Sequence, residues 1–300
     1  MKNMRIPLFI AWGVAVIGIV LGSFFDLAIS SAIASPNNAL GLAISAVGPT
    51  IGFGGVALMG GGFIALIVKG KYHIALKILF GVLAACCLGV AIFYPAGEWF
   101  GINGFYGAAP EWLGYVIVVL PEVGAMVGGY FLFKNCKNEN IWIVFVSVIA
   151  LLLIALLAVI PALKDTFHRP RYRLISTNEN IAFHSWWEPC KNYQELKETY
   201  GIAGDNFKSY PSGHTAEASI LLVAATLYPL ADEKLKKVQL PFFIGVCVLV
   251  VLVAFARILA AAHYLSDVSF GAAITLTLLI IFNEVIMRIK PLQLKEEVKE

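Results

Sequence analysis

Charged residues are scarce in this 300-residue chain, and their scarcity excludes an ordinary soluble domain. Asp, Glu, Lys and Arg make up 14% of the residues, whereas hydrophobic residues make up 59%. A soluble globular domain carries about 25% charged residues. The composition therefore predicts a protein that is embedded in a membrane.

Cysteines and metal-binding motifs are also few. Of five cysteines, only Cys136 and Cys190 lie outside long apolar stretches, so no disulfide framework is expected. The sequence has no HExxH motif, no Cys/His cluster and no grouped carboxylates with metal-ligand spacing. No soluble segment combines basic and aromatic residues as nucleic-acid-binding segments do, so no nucleic acid partner is expected.

Long apolar stretches dominate the sequence, and each is long enough to cross the hydrocarbon core as a helix of about 20 residues. They predict an all-α, polytopic membrane helical bundle with about eight transmembrane helices. An outer-membrane barrel is disfavoured because alternating ten-residue segments are absent. The first stretch is expected to be an uncleaved span, since no small-residue cleavage site closes it. The eight stretches are approximately 7–30, 42–68, 74–94, 113–133, 141–162, 213–230, 238–257 and 267–288.

The basic residues predict the orientation, because Lys and Arg concentrate in cytoplasmic loops. Fourteen of the 22 fall on one side, which makes both termini cytoplasmic. The other eight fall on the outer side, against this bias, and an anion-binding outer pocket would explain them. These eight are Lys164, Arg169, Arg171, Arg173, Lys191, Lys197, Lys208 and Arg257.

The first of three polar motifs is Lys164-x6-Arg171, with Arg169 and Arg173 beside it. A phosphate in transfer spreads charge over three oxygens, which cationic donors can hold. Pro170 disfavours helical geometry at the preceding residue, so a partly unwound turn is expected there. The alternative is a juxtamembrane basic cluster that meets lipid headgroups.

The second motif, residues 209–214, reads Ser-Tyr-Pro-Ser-Gly-His and lies where an apolar stretch begins. Ser212 is in a capping region, and Gly213 would let the backbone approach a phosphate closely. His214 could protonate a leaving oxygen. The alternative for His214 is a cap or a solvated residue.

The third motif is Arg257-x5-His263-x3-Asp267. His263 and Asp267 are four residues apart, so on a helix the carboxylate can orient the imidazole as a nucleophile. Arg257 meets the same ligand only if the chain breaks between Arg257 and His263. The alternative is an interfacial arginine and a structural His-Asp pair.

Together the three motifs resemble the tripartite signature of the type 2 phosphatidic acid phosphatase family. That family includes lipid phosphate phosphatases and is related to the vanadium-dependent haloperoxidases. The resemblance covers about 141–288, most of a six-helix phosphatase-type core. Two positions depart from it: Tyr172 stands where the family usually has Pro, and Ala256 where it often has Ser.

The resemblance implies a role for each motif residue. His263 would attack phosphorus, Asp267 would orient it, and His214 would protonate the leaving group. No metal or other cofactor would be required. Arg169 and Arg173 would contact a headgroup or a second phosphate. The phosphate-binding groups would be Lys164, Arg171, Ser212, Gly213 and Arg257.

The expected organisation follows from this resemblance. Residues 1–70 would be additional N-terminal membrane spans, 71–290 the phosphatase-type core with an outer active-site segment at 163–212, and 291–300 a cytoplasmic tail. The mid-span Glu122 is open to a structural or a functional role.

The expected function is hydrolysis of a lipid phosphate, either a phosphomonoester or a diphosphate, at the outer or periplasmic face of the cell membrane. The expected partners are this phosphorylated lipid and the membrane lipids, and homo-oligomerisation stays open. The resemblance implies that this hydrolysis passes through a phosphohistidine intermediate. The alternatives are a phosphotransferase that uses the same intermediate, and a non-catalytic phospholipid transporter or binding protein.

Overall fold

A computed structural model describes residues 4–36, 38–101, 111–137 and 140–284. Within these ranges the chain forms helices and no strand, which confirms the predicted helical bundle. The main helices are α1 Arg5–Ile33, α2 Ala39–Val68, α3 Ile74–Gly101, α4 Leu120–Phe133, α5 Ile141–Leu153, α6 Ile160–Phe167, α7 Gly213–Ser219, α8 Leu222–Ala231, α9 Lys236–Leu259 and α10 Leu265–Glu284.

Seven helical segments in the described ranges are long and apolar enough to cross a membrane. The protein is therefore a multi-pass membrane protein. The structure differs from the predicted eight spans at residues 213–230, where α7 and α8 replace one long helix and the apolar helical stretch is only Gly213–Leu227. The Ser219 hydroxyl donates to the Thr215 carbonyl at the end of α7. The backbone bonds tighten at the break, where the N–H group of Ile220 donates to the Glu217 carbonyl at 3.0 Å and that of Val223 donates to the Ile220 carbonyl at 2.9 Å.

Two other helices contain wide, π-helical turns. Tyr115–Val119 precedes Pro121 in α4, and Ile154–Val159 joins α5 to α6 just before Pro161. A proline lacks the backbone N–H group and its ring collides with the carbonyl group four residues earlier, so the preceding turn widens. The second wide turn lies directly before α6, the helix that carries Lys164.

Glycines allow the N-terminal helices to pack closely against the helices that follow. A Cβ atom added to Gly52 of α2 would overlap the backbone of Glu217 in α7. A Cβ added to Gly22 of α1 would lie 2.5 Å from the Ser266 nitrogen in α10. Both N-terminal helices therefore lie directly against helices that carry the second and third motifs.

Candidate active site

The first motif leaves helix α6 at His168, which has a left-handed conformation with φ 43°. The partly unwound turn predicted from Pro170 is thereby confirmed. Beyond it the backbone N–H group of Arg171 donates to the Asn206 carbonyl at 2.8 Å, and that of Arg173 donates to the Ala261 carbonyl at 2.9 Å. These bonds hold the first motif between the short helical turn Gly204–Phe207 and the loop of the third motif.

The third motif spans the turn between α9 and α10. Helix α9 ends at Leu259, and Ala261 has a positive φ of 54°. The N–H group of His263 then donates to the Arg257 carbonyl at 3.2 Å. The predicted chain break between Arg257 and His263 is confirmed, and it folds the histidine back towards the arginine.

The second motif lies against both of the others. The N–H group of Ser212 donates to the Asp267 carbonyl at 3.0 Å, and the Ser212 hydroxyl caps α7 by accepting from the N–H group of Thr215 at 3.4 Å. A Cβ atom added to Gly213 would be in ordinary contact with Lys164 Nζ, at 3.6 Å. The lysine ammonium group therefore lies beside the start of α7.

His263 is the point on which these groups converge. Its side chain is buried, and burial holds the pKa of His263 well below its ordinary value. Nearby cationic groups lower the pKa further, and they are Arg171, Arg257, Lys164 and His214. The imidazole is therefore neutral near pH 7, the form in which it can act as a nucleophile.

The hydrogen bond of the His263 ring determines which of its two nitrogens carries the hydrogen. The Nδ1 atom lies 2.6 Å from the Ser209 carbonyl oxygen. Because a carbonyl oxygen only accepts, Nδ1 carries the hydrogen and Nε2 keeps its lone pair. No role was predicted for Ser209, since a backbone carbonyl leaves no signal in the sequence.

Asp267 holds the ring less directly than its spacing indicates. Its Oδ2 atom is 3.9 Å from His263 Nδ1, which is too long for a hydrogen bond. The carboxylate instead accepts from the Ser209 hydroxyl at 2.5 Å, the Tyr264 N–H group at 2.9 Å and Arg169 Nη1 at 2.5 Å. Asp267 thus acts on the imidazole by charge and by holding the residue whose carbonyl binds Nδ1.

Hydrogen bonds to Asp205 and to the Ala262 carbonyl orient the Arg171 side chain. It donates from Nε and Nη2 to the backbone and side chain of Asp205, both at 2.9 Å, and from Nη1 to the Ala262 carbonyl at 3.3 Å. Arg173 donates to the other Asp205 oxygen at 2.9 Å. Burial raises the pKa of Asp205, but the charges of Arg171 and Arg173 outweigh burial and lower it. Asp205 therefore stays ionised and holds both arginines.

Arg169 has protein partners where a headgroup contact was expected. Its side chain is 1% exposed, and Nη1 donates to Asp267 while Nη2 donates to Asp26 Oδ2 at 2.8 Å. Its Nε atom donates to the His184 carbonyl at 2.8 Å, and the guanidinium carbon lies 4.2 Å from the centre of the Tyr264 ring. Asp26 was missed, although an acidic residue inside an apolar stretch is itself a signal of a specific role.

The outer segment covers this region. The Trp186 indole donates to the Ser23 hydroxyl of α1 at 2.9 Å, and its ring lies 4.6 Å from that of Phe270 in α10. The N–H group of Cys190 donates to the Phe167 carbonyl at 2.8 Å. These contacts tie the segment across α1, α6 and α10. Within the part of the chain that the structure describes, no group of three or more His, Cys, Asp or Glu residues could hold a metal ion.

The fold and the site together define a multi-pass helical membrane protein with a buried, neutral histidine among cations that suit a phosphate. The chain belongs to the PAP2 superfamily, whose family model matches residues 141–290, half of the chain. Membership in this family is consistent with a phosphatase. No curated protein and no solved structure matches the chain. The matched range begins at α5 and contains all three motifs, whereas α1 to α4 lie outside it.

Proposed function

We propose that this protein is an integral membrane phosphatase that removes phosphate from a lipid at the outer membrane face, through a phosphohistidine intermediate. The substrate class is a phosphomonoester or diphosphate, such as phosphatidate, phosphatidylglycerol phosphate or a polyprenyl diphosphate. The observation that carries the proposal is the buried His263, whose Nδ1 atom lies 2.6 Å from the Ser209 carbonyl oxygen and whose pKa is lowered by burial and by the charges of Arg171, Arg257, Lys164 and His214.

In the first step the Nε2 lone pair of His263 attacks phosphorus, and the bond from phosphorus to the leaving oxygen breaks. His214 donates a proton to that oxygen, so that an alcohol or a phosphate departs. The phosphate oxygens gain charge in this step. Lys164, Arg171 and Arg257 stabilise that charge.

In the second step water attacks the phosphohistidine and the bond from Nε2 to phosphorus breaks. His214, now neutral, accepts a proton from the water, which restores both histidines. The Asp267 carboxylate lies near the imidazole and stabilises the positive charge that the ring carries while phosphorylated. The cations of the chain neutralise the phosphate, and no metal takes part in this scheme.

A lipid substrate suits the position of the site, since its residues lie at the ends of apolar helices α6, α9 and α10. The phosphate could reach the cations while the lipid tail stays in the bilayer. The distribution of Lys and Arg favours the outer face for the site. Fourteen of the 22 basic residues lie in loops on the opposite side, which is the side expected to be cytoplasmic.

Phosphate release from a panel of those three lipids, measured with the purified protein in detergent, tests the proposal. His263→Ala should abolish turnover on every lipid that the wild type hydrolyses. His73→Ala is the matched control, because His73 is exposed. Among the described residues its ring accepts one hydrogen bond, from the nearby N–H group of Ala75. Full turnover by His263→Ala would rule out the nucleophile.

Product analysis separates the alternatives. Transfer of the phosphoryl group to another lipid or to a sugar, in place of free phosphate, would indicate a phosphotransferase. Binding of phospholipids that stay intact, with no phosphate released from any of them, would indicate a transporter or binding protein. Hydrolysis of an impermeant substrate by right-side-out but not inverted vesicles would support the outer face.

A further inference from the structure

Helix α1 lies outside the residues that match the family, yet it brings a carboxylate to the site. Asp26 is in the last third of α1 and is 2% exposed. A buried carboxylate in a membrane helix is unfavourable unless it has partners. Asp26 has two partner residues and three hydrogen bonds, because Oδ2 accepts from Arg169 and from the Ser266 hydroxyl, and Oδ1 accepts from the Ser266 N–H group at 2.9 Å.

From Asp26 a continuous set of buried hydrogen bonds reaches the nucleophile. Arg169 joins Asp26 to Asp267 through its two Nη atoms, at 2.8 Å and 2.5 Å. Asp267 accepts from the Ser209 hydroxyl at 2.5 Å. The Ser209 carbonyl lies 2.6 Å from His263 Nδ1. Every side chain in this set is 2% exposed or less.

The charges in this set explain why a second carboxylate is present. Arg169 paired with Asp267 alone would neutralise the carboxylate that faces His263. With Asp26 included, the three residues carry a net charge of −1, and Arg169 divides its attraction between two carboxylates. The negative charge near the imidazole is therefore less compensated by Arg169, and a positive charge on the ring is stabilised more strongly.

The packing of α1 against α10 fits this role. Gly18 and Gly22 lie against Ser269 and Ser266, and any side chain at either glycine would overlap the opposite helix. This close approach brings Asp26 within reach of the Ser266 backbone. The backbone of α10 itself, and not only its side chains, is therefore bound by α1.

We infer that Asp26 is a positioning residue for the nucleophile, so that the first membrane span belongs to the catalytic unit of this protein. Asp26 acts through Arg169 and Asp267 and does not touch the substrate. The inference rests on the proposed role of His263.

Orthovanadate and sulfate offer a test that needs no substrate. Vanadate accepts a histidine nitrogen as an additional ligand, whereas sulfate is held only by charge and hydrogen bonds. Thermal stabilisation by each anion, titrated on the full-length protein in detergent, gives the two affinities. Asp26→Asn should weaken vanadate binding on the order of tenfold, as for residues that orient a ligating histidine, and leave sulfate binding unchanged.

Two further variants complete the design. Ser266→Ala removes a hydroxyl that bonds to both Asp26 and Arg169 but leaves every charge in place, so vanadate binding should fall by roughly two- to fivefold. This variant carries the test if Asp26→Asn does not fold. Trp12→Phe is the control, since it removes a bond of 3.0 Å between α1 and Thr277 of α10 without touching the set. Trp12→Phe should bind both anions like the wild type.

Turnover gives an independent readout, in which Asp26→Asn should lower kcat on the order of 10- to 100-fold with KM unchanged. Equal losses of vanadate and sulfate affinity, or no loss of either, would overturn the inference. A wild type that releases no phosphate would overturn the proposed function, while the comparison of vanadate with sulfate would still decide the role of Asp26. A wild type that does not prefer vanadate to sulfate would overturn both.

Discussion

Replacing Asp267 with asparagine separates two ways in which the residue could assist His263. If the side chain acted through a hydrogen bond to the ring, the asparagine oxygen could replace it at little loss. The distance of 3.9 Å from Oδ2 to Nδ1 excludes that bond, and the Ser209 carbonyl at 2.6 Å already accepts the ring hydrogen. The carboxylate then acts directly on the ring through its charge, besides holding Ser209 through the hydroxyl group.

The size of this effect follows from the distance. Two unit charges 3.9 Å apart interact by about 4 kcal/mol at an effective dielectric constant of about 20. Because about 1.4 kcal/mol corresponds to a factor of ten in rate, Asp267→Asn should lower kcat on the order of 1,000-fold.

The variant should still fold. The substitution removes the Asp267 carboxylate, but Arg169 stays paired with Asp26 at 2.8 Å. The buried guanidinium group therefore keeps a partner of opposite charge. The assay is phosphate release under saturating lipid, with the melting temperature measured on the same preparation. A folded Asp267→Asn protein that retains more than about a tenth of wild-type kcat would show that orientation by the Ser209 carbonyl suffices.

Three further predictions concern the arginine, the buried histidine and the mid-span glutamate. Arg171→Lys keeps the charge but cannot reproduce the three bonds of the guanidinium group, so kcat/KM should fall on the order of 10- to 100-fold; a value equal to that of the wild type would show that charge alone suffices. Because burial lowers the pKa of His263, the unfolded chain binds a proton first, and below about pH 6.5 stability should fall by about 1.4 kcal/mol per pH unit until the folded pKa is reached. The difference in unfolding free energy between the wild type and His263→Asn should change by this amount per pH unit between pH 7 and pH 5, because His168 and His184, whose pKa burial also lowers, contribute equally to both proteins; a difference that stays constant with pH would contradict the assignment. Glu122 is fully buried and neither carboxylate oxygen has a hydrogen-bond partner among the described residues, so Glu122→Leu should stabilise the protein by about 1–3 kcal/mol with turnover unchanged, whereas lost turnover would assign Glu122 a functional role.

Short-range features of the site could be predicted from the sequence. The unwound turn at Pro170 and the break between Arg257 and His263 depend on local backbone constraints. The helical bundle likewise follows from the length and spacing of the apolar stretches. The three motifs lie at the ends of predicted helices on the same side of the bundle, so their approach to one another could be expected once those helices pack together.

Roles that depend on distant partners could not be predicted. Arg169 and Arg171 are two residues apart and chemically identical, yet one binds Asp26 and Asp267 while the other binds Asp205. The path of the chain after His168 decides which arginine faces which partner, and this path depends on packing. Asp26 is 143 positions from Arg169, a separation at which periodicity carries no information.

The bond between Asp26 and Ser266 also has a consequence for the synthesis of the protein. These residues are separated by 240 positions, so at about 5–20 residues per second roughly 12–48 s pass between their emergence from the ribosome. Arg169 follows Asp26 by 143 positions, so for the first part of that interval α1 carries a carboxylate with neither Arg169 nor α10 beside it, which is unfavourable in lipid. A chain truncated before α10 would retain Arg169 as a partner for Asp26 but would lack both bonds to Ser266, so the first helix gains its full set of polar partners only when the last helix has been made.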